Sequence, residues 1–181
     1  CSLLAVAAGP GSFTGIRIGV STIKGLAFNE NIPCIGVSSL ASIAFGMTGM
    51  NGILCPVINA RRDHVYTAFF RAVPGSFPVR LTEDTQLSVN ELWEKIASME
   101  ENVYASGDGY TMIHRLDAAK PGNLKETPVL FRAPHAYGVA MAGLQIYQSI
   151  HDPSVFTEEV LKPIYLRKSQ AEREREERIA S

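Results

Sequence analysis

The sequence predicts an α/β chain of two lobes, the first of them truncated. Three observations carry this. Apolar strand-like runs alternate with segments of helical periodicity from Leu3 to Ile150. Two short segments match, Ala7-Ala8-Gly9-Pro10-Gly11 and Ala105-Ser106-Gly107-Asp108-Gly109, each a strand ending in small residues and Gly-x-Gly. The chain also opens on Cys1-Ser2-Leu3-Leu4-Ala5-Val6, without Met and already inside a run that reads as a buried strand needing neighbours on both sides. The first half therefore shows only the end of the series that the second half shows in full.

Leu3–Ala8 reads as a strand, followed by a Gly-rich turn and a helix from Ser12 to Phe28. A short strand at Pro33–Val37 leads into a helix over Ser38–Phe45. Gly46, Gly49, Asn51 and Gly52 make a flexible join, which sets a first lobe at residues 1–50 and a second at 51–167. Ile53–Ala60 and Val65–Arg71 read as two strands with Arg61-Arg62-Asp63-His64 as the hairpin tip. Pro74, Gly75, Ser76 and Pro78 punctuate a loop before a strand near Glu83–Leu87. Ser88-Val89-Asn90-Glu91 fits a capping box opening a helix to about Met99. A strand at Val103–Ser106, a short helix at Tyr110–Leu116 and a loop rich in Lys, Pro and Gly come next. Pro134 precedes a helix to Ile150 whose Ala136, Ala140 and Gly143 suit close packing. Residues 168–181 form a charged tail, in which Arg173–Glu177 and Glu174–Arg178 are i,i+4 pairs. A solvated helix explains the tail, with an RNA-contact tail as the alternative.

The 181 residues are 46% apolar and 19% charged, which excludes wholesale disorder. Seventeen Lys and Arg face 18 Asp and Glu, so there is no electrostatic footprint for general nucleic-acid or membrane binding. Cys1, Cys34 and Cys55 form no CxxC pair, and reduced, cytoplasmic thiols are the simplest reading. No apolar run approaches the length of a membrane span.

The sharpest segment is Gly9-Pro10-Gly11-Ser12-Phe13-Thr14-Gly15. Backbone N–H groups at such a turn, added to the positive end of a helix capped by Ser12 or Thr14, can hold a phosphate; Gly9, Gly11, Ser12, Thr14 and Gly15 are the residues concerned. The competing reading is a tight strand–helix turn whose glycines serve backbone geometry. It is neither a Walker A loop nor a GxGxxG fingerprint. In the following helix Ile16, Gly19, Val20, Ile23, Leu26 and Ala27 share one broad face, with Arg17 and Lys24 on a flank. Ile18, Ser21, Thr22 and Gly25 occupy the remaining side, which is uncharged. Either further elements of the same chain cover that side or a partner subunit does.

Gly9–Phe28, Gly36-Val37-Ser38-Ser39-Leu40, Asn59–Tyr66 and Pro163-Ile164-Tyr165-Leu166-Arg167 together resemble the signatures of the TsaB (YeaZ) family, in order and across nearly the whole chain. Asn59 and His64 depart from it, standing where the family usually has Asp and often has Glu. The resemblance implies an actin-like (ASKHA, ribonuclease H-like) fold of two lobes. It also implies a part in making N6-threonylcarbamoyladenosine in transfer RNA, as a non-catalytic subunit that binds the catalytic paralogue TsaD. The ATPase TsaE and a second copy of the chain are implied as further partners, with transfer RNA met only indirectly. In TsaD the segment matching Gly36–Leu40 carries a His-x-x-x-His metal pair; aligned on Gly36-Val37, this chain has Ser39 and Ile43 instead. No metal and no cofactor are therefore expected.

Three other readings of the sequence remain. An ATP-dependent enzyme of the same fold needs a magnesium carboxylate in the first strand, expected to lie before Cys1; Asp108 could separately bind magnesium or a nucleotide, although an Asp in a Gly-Asp-Gly turn more often bonds its own backbone. The glycoprotease label attached to this group finds neither HExxH nor G-x-S-x-G. A plain RNA-binding module has Arg61-Arg62 in its favour. His64, His114, His135 and His151 show no i,i+4 spacing and read as turn or surface residues.

Overall fold

A computed structural model describes residues 1–113 and 120–166. Strands β1 (Leu4–Gly9) and β2 (Cys34–Ser38) pair in parallel, joined by helix α1 (Phe13–Ala27). Ser38 ends β2 and caps α2 (Ser39–Gly46), its side chain accepting from the Ala41 N–H. The larger sheet is built on β3 (Gly52–Asn59), with β4 (His64–Thr67) and β5 (Phe70–Ala72) antiparallel along one edge. Next to these lie β7 (Thr85–Ser88) and the two-residue β6 (Val79–Arg80). On the other edge of β3 come β8 (Val103–Ser106) and then β9 (Leu124–Glu126), both parallel to it. An antiparallel meander followed by two parallel strands is the ribonuclease H-like order.

The matching segments occupy equivalent places. Gly9 ends β1 and Gly107 follows β8, with φ of 127° and 118°. In each, a Cβ would lie 2.1 Å from a carbonyl oxygen, that of Ile164 or of Val57, so only glycine fits.

Several elements differ from the sequence expectation. Val65–Arg71 is not one strand. Pro56 lies opposite Ala68 in the register shared by β4 and β5, has no N–H to give, and the ladder breaks there. β6 and β9 are additions: strands of two and three residues carry no periodicity of their own and exist through the neighbours they extend. Helix α3 (Val89–Ala97) has the expected capping box on Ser88 and Glu91 and ends two residues early. Those bonds from Ser88 hold the Glu91 carboxyl below its ordinary range. Helix α4 is described for Tyr110–Ile113; His114, the rest of the expected helix and residues 167–181 lie outside the described residues.

The core has a layer on each face of the larger sheet. One packs Leu92 and Ile96 of α3 and Tyr110 and Ile113 of α4 on Cys55, Val57 and Val103. On the other, Leu40 and Ile43 of α2 and Met47 at its C-cap lie against Leu54, Ala68 and Phe70. Helix α5 (Ala136–Ser149) returns to cover β1 and β2 and crosses α2. Its close contacts come from Gly138, Ala142 and Gly143; Ala136 and Ala140, on the Gly143 side of the helix, are exposed because they line a cavity against Ala5, Val6 and Ala7 of β1 instead of filling it.

Cys55 is fully buried, and burial pushes its thiol up to about 12. It is expected to resist alkylation at pH 8 in the folded chain and to react once urea unfolds it, while exposed Cys1 reacts at once. Equal rates for both thiols under native conditions would contradict this burial.

Candidate functional site

A cavity of about 380 Å³ lies between the turn after β1, the start of α2 and the end of β8. Pro10, Gly11, Ser12 and Gly15 form one wall. Ser12 is the cap of α1, accepting the Gly15 N–H at 3.3 Å, and no acidic residue stands in the first turn. The positive end of α1 is thus uncompensated by carboxylate. Gly9 is not on the wall; it is pressed against the segment after Leu161, where the Ile164 N–H donates to Ala8 O at 2.7 Å. Thr14 is exposed and outside the lining, and Ser12, not Thr14, does the capping.

Ser39 and Ile43, one helical turn apart on α2, form part of the facing wall with Asp108 and Arg132. Asp108 does not close a turn on its own backbone. Its Oδ1 accepts the Asn59 N–H at 3.0 Å, tying the end of β8 to the end of β3. Arg132, in the short 3-10 turn Val129–Arg132, has its guanidinium carbon 4.9 Å from the Tyr110 ring centre and donates to Thr127 O at 3.5 Å. Its Nε is sealed from solvent with no acceptor among the described residues. Sequence reasoning missed Arg132; a lone Arg two residues before a Pro gives no local signal. The cavity offers one cation, the α1 amides and two serine hydroxyls, together with one carboxylate, Asp108.

A metal does not fit here. Ser39 supplies one hydroxyl and Ile43 no donor. Among the described residues no three His, Cys, Asp or Glu side chains gather. Purified, tag-free protein is expected to carry no stoichiometric zinc or iron by plasma mass spectrometry; one equivalent bound would overturn this.

On the outer side of α1, Ile18 is 62% exposed, and Ser21, Thr22 and Gly25 are exposed with it. The Thr22 hydroxyl donates to Ile18 O at 2.8 Å, and a Cβ on Gly25 would meet nothing within 4 Å. Leu26 is a correction. At 58% exposure it lies outside the buried face, about 90° around the helix from Ile16, Val20 and Ala27, which are buried. Arg17 stacks 4.0 Å over Phe13 and donates from Nε to the Tyr165 hydroxyl at 2.9 Å, and Phe13 and Tyr165 stack at 4.7 Å. That cluster fastens the Pro163–Leu166 segment to α1.

Over residues 1–174 the sequence matches the family described as TsaD: tRNA N6-adenosine threonylcarbamoyltransferase. The chain belongs to that family. Within it the similarity is to TsaB/YeaZ members. The tRNA threonylcarbamoyladenosine biosynthesis protein TsaB of Bacillus subtilis is 44% identical over 74 residues, 41% of this chain and 32% of that protein. TsaB of Escherichia coli is 44% identical over 70 residues, 38% of this chain and 30% of that protein. These alignments span about a third of the curated relatives' length. YeaZ from Pseudomonas aeruginosa shares the fold at a TM-score of 0.68 and 23% identity, over 88% of this chain and 72% of that one. A second Pseudomonas aeruginosa crystal structure, of a protein described as similar to peptidase YEAZ, superposes at 0.71 with 24% identity, over 92% and 74%. The TsaB/YeaZ fold is the actin-like one that the four motifs implied. Among the described residues no helix is long and apolar enough to cross a membrane.

Proposed function

We propose that the chain is a non-catalytic subunit of the transfer RNA threonylcarbamoylation system in the cytoplasm, binding and stabilising TsaD. One observation carries the reading: in a TsaB/YeaZ chain, Ile18, Ser21, Thr22 and Gly25 form an exposed, uncharged strip of mostly small residues on α1. Short side chains let a second helix approach closely. The family resemblance puts the homodimer and the TsaD heterodimer on this same region, with TsaE joining as a further partner. Residues 1–50 and 51–167 are proposed as the two lobes in chain order, with α5 and the segment after it returning from the second to pack on β1 and β2 of the first, and 168–181 as an appended tail. Co-purification of tagged TsaD with this chain at constant stoichiometry through gel filtration is the test. Two separately eluting proteins at micromolar concentration would reject the reading.

The turn of Gly11, Ser12 and Gly15 is retained in this proposal as a residual anion site across the cavity from Arg132; Gly9, packed against Ile164, and Thr14, outside the lining, drop out of it. It lacks what a triphosphate needs. Neither a Lys nor a second carboxylate to hold magnesium is among the residues lining the cavity. Calorimetric titration with magnesium-ATP is expected to give no heat at micromolar concentrations, whereas a micromolar dissociation constant would favour an ATP-dependent enzyme.

A further inference from the structure

The hairpin tip joining β3 to β4 is exposed yet tightly constrained. Arg61, Arg62 and Asp63 are all exposed, and all three lie in the left-handed region, with φ of 68°, 49° and 57°. A run of three such residues with side chains is disfavoured and persists only where its surroundings dictate it. Here they do. Asn59 Oδ1 accepts the Arg61 N–H at 2.8 Å, and Arg61 O accepts the His64 N–H at 3.2 Å. His64 Nδ1 donates to Arg62 O at 2.7 Å, and Asp63 O accepts the Val89 N–H at 2.9 Å. All three carbonyls are occupied, while the Arg62 and Asp63 N–H groups have no partner among the described residues.

The side chains repeat the contrast. Arg71 pairs with Glu101, Arg80 with Asp84, Arg17 with Tyr165 and Phe13, and Arg132 stacks on Tyr110. Among the described arginines, Arg61 and Arg62 of the tip are the two with neither an ion pair nor a hydrogen bond from the side chain. Apart from the Asp63 carboxylate, the tip presents donors: two guanidinium forks and two amide N–H groups on a backbone already fixed. Asn59, at its base, is bonded to Asp108 of the cavity wall, so the tip stands beside that cavity.

We propose that this tip is a contact for the RNA sugar–phosphate backbone, with Arg61, Arg62 and the adjoining N–H groups donating to phosphate oxygens. The inference rests on the proposed part in transfer RNA modification and adds a direct contact where RNA was otherwise met only through the partner. Guanidinium forks match phosphate oxygens in pairs, and a fixed loop loses little freedom on binding. The opposing charge on the tip is Asp63; Glu91, the neighbouring carboxylate, accepts from Ser88. One carboxylate beside two arginines gives the proposal a sign to test.

The probe is a fluorescein-labelled transfer RNA transcript, titrated by anisotropy with the chain alone and with its TsaD complex, over about 50 to 200 mM KCl. The double variant Arg61→Ala, Arg62→Ala is expected to weaken binding about tenfold or more at low salt and to flatten the log–log salt dependence by about 1.5 to 2, the share of two phosphate contacts. Asp63→Asn is expected to tighten binding. Asn59→Ala removes the cap on Arg61 but no charge, so binding weakens while the salt slope stays. Unchanged affinity and slope for the double variant in both settings overturn the proposal, as does poly-glutamate competing as tightly as the RNA. TsaD capture by the double variant is expected to match wild type. Failure of the wild-type chain to capture TsaD counts instead against the partner reading.

Discussion

Gly25→Trp and Thr22→Arg are each expected to weaken TsaD binding by about two decades or more while far-UV circular dichroism stays that of the wild type. The fold has room for both. A Cβ on Gly25 meets nothing within 4 Å, and Thr22 bonds only to Ile18 O on its own helix. Loss of that back-bond costs little, and Arg is a better helix former than Thr. In a helix-on-helix contact the outcome reverses: an indole props the two backbones apart, and a guanidinium is desolvated without a partner. Surface plasmon resonance on immobilised TsaD separates the cases. Wild-type affinity for both variants places the interface elsewhere, and loss of the circular dichroism signal makes the strip an internal packing surface.

Gly138→Val is expected to destabilise the chain by about 3 kcal/mol or more. A Cβ there would stand 1.9 Å from Ser42 O and close to the Gly46 nitrogen, backbone atoms of α2 that no rotamer change can move. Because α5 and α2 cross at this point and α2 also covers β3 and β5, the displacement spreads into both sheets. Gly138→Ala should show the same direction with a smaller loss. Gly25→Ala, with open space around it, is expected to stabilise by about 0.5–1 kcal/mol, the ordinary gain from replacing a helical glycine. Urea midpoints measured side by side decide this, and a wild-type midpoint for Gly138→Val would contradict the described α2–α5 crossing.

What could be read along the chain was what local chemistry controls. Ser88 and Glu91 announce their helix because a capping box is made within four residues, and Ser12 and Ser38 cap theirs in the same way. The paired Gly-x-Gly turns were legible because each demands a backbone that side chains reject. What escaped depended on neighbours distant in sequence. β6 and β9 are ordered by the strands beside them, and the break at Ala68 is imposed by Pro56 across the sheet. In the site, Ser39 and Ile43 face the turn after β1 across the cavity, a placement that no local pattern in the chain showed. Arg132 was invisible, and Tyr165 stood only in a family motif with no partner to be read for it. Each reaches its partner over a long loop, Arg132 at Tyr110 and Tyr165 at Arg17, and a single polar residue in a loop carries no period.

The most direct test of a non-catalytic subunit is reconstitution of threonylcarbamoyl transfer to unmodified transfer RNA, with the activated donor supplied. The chain alone is expected to yield no N6-threonylcarbamoyladenosine by nucleoside mass spectrometry, while adding it to TsaD and TsaE raises the yield and Gly25→Trp abolishes that increase. Product formed by the chain without TsaD would contradict the account.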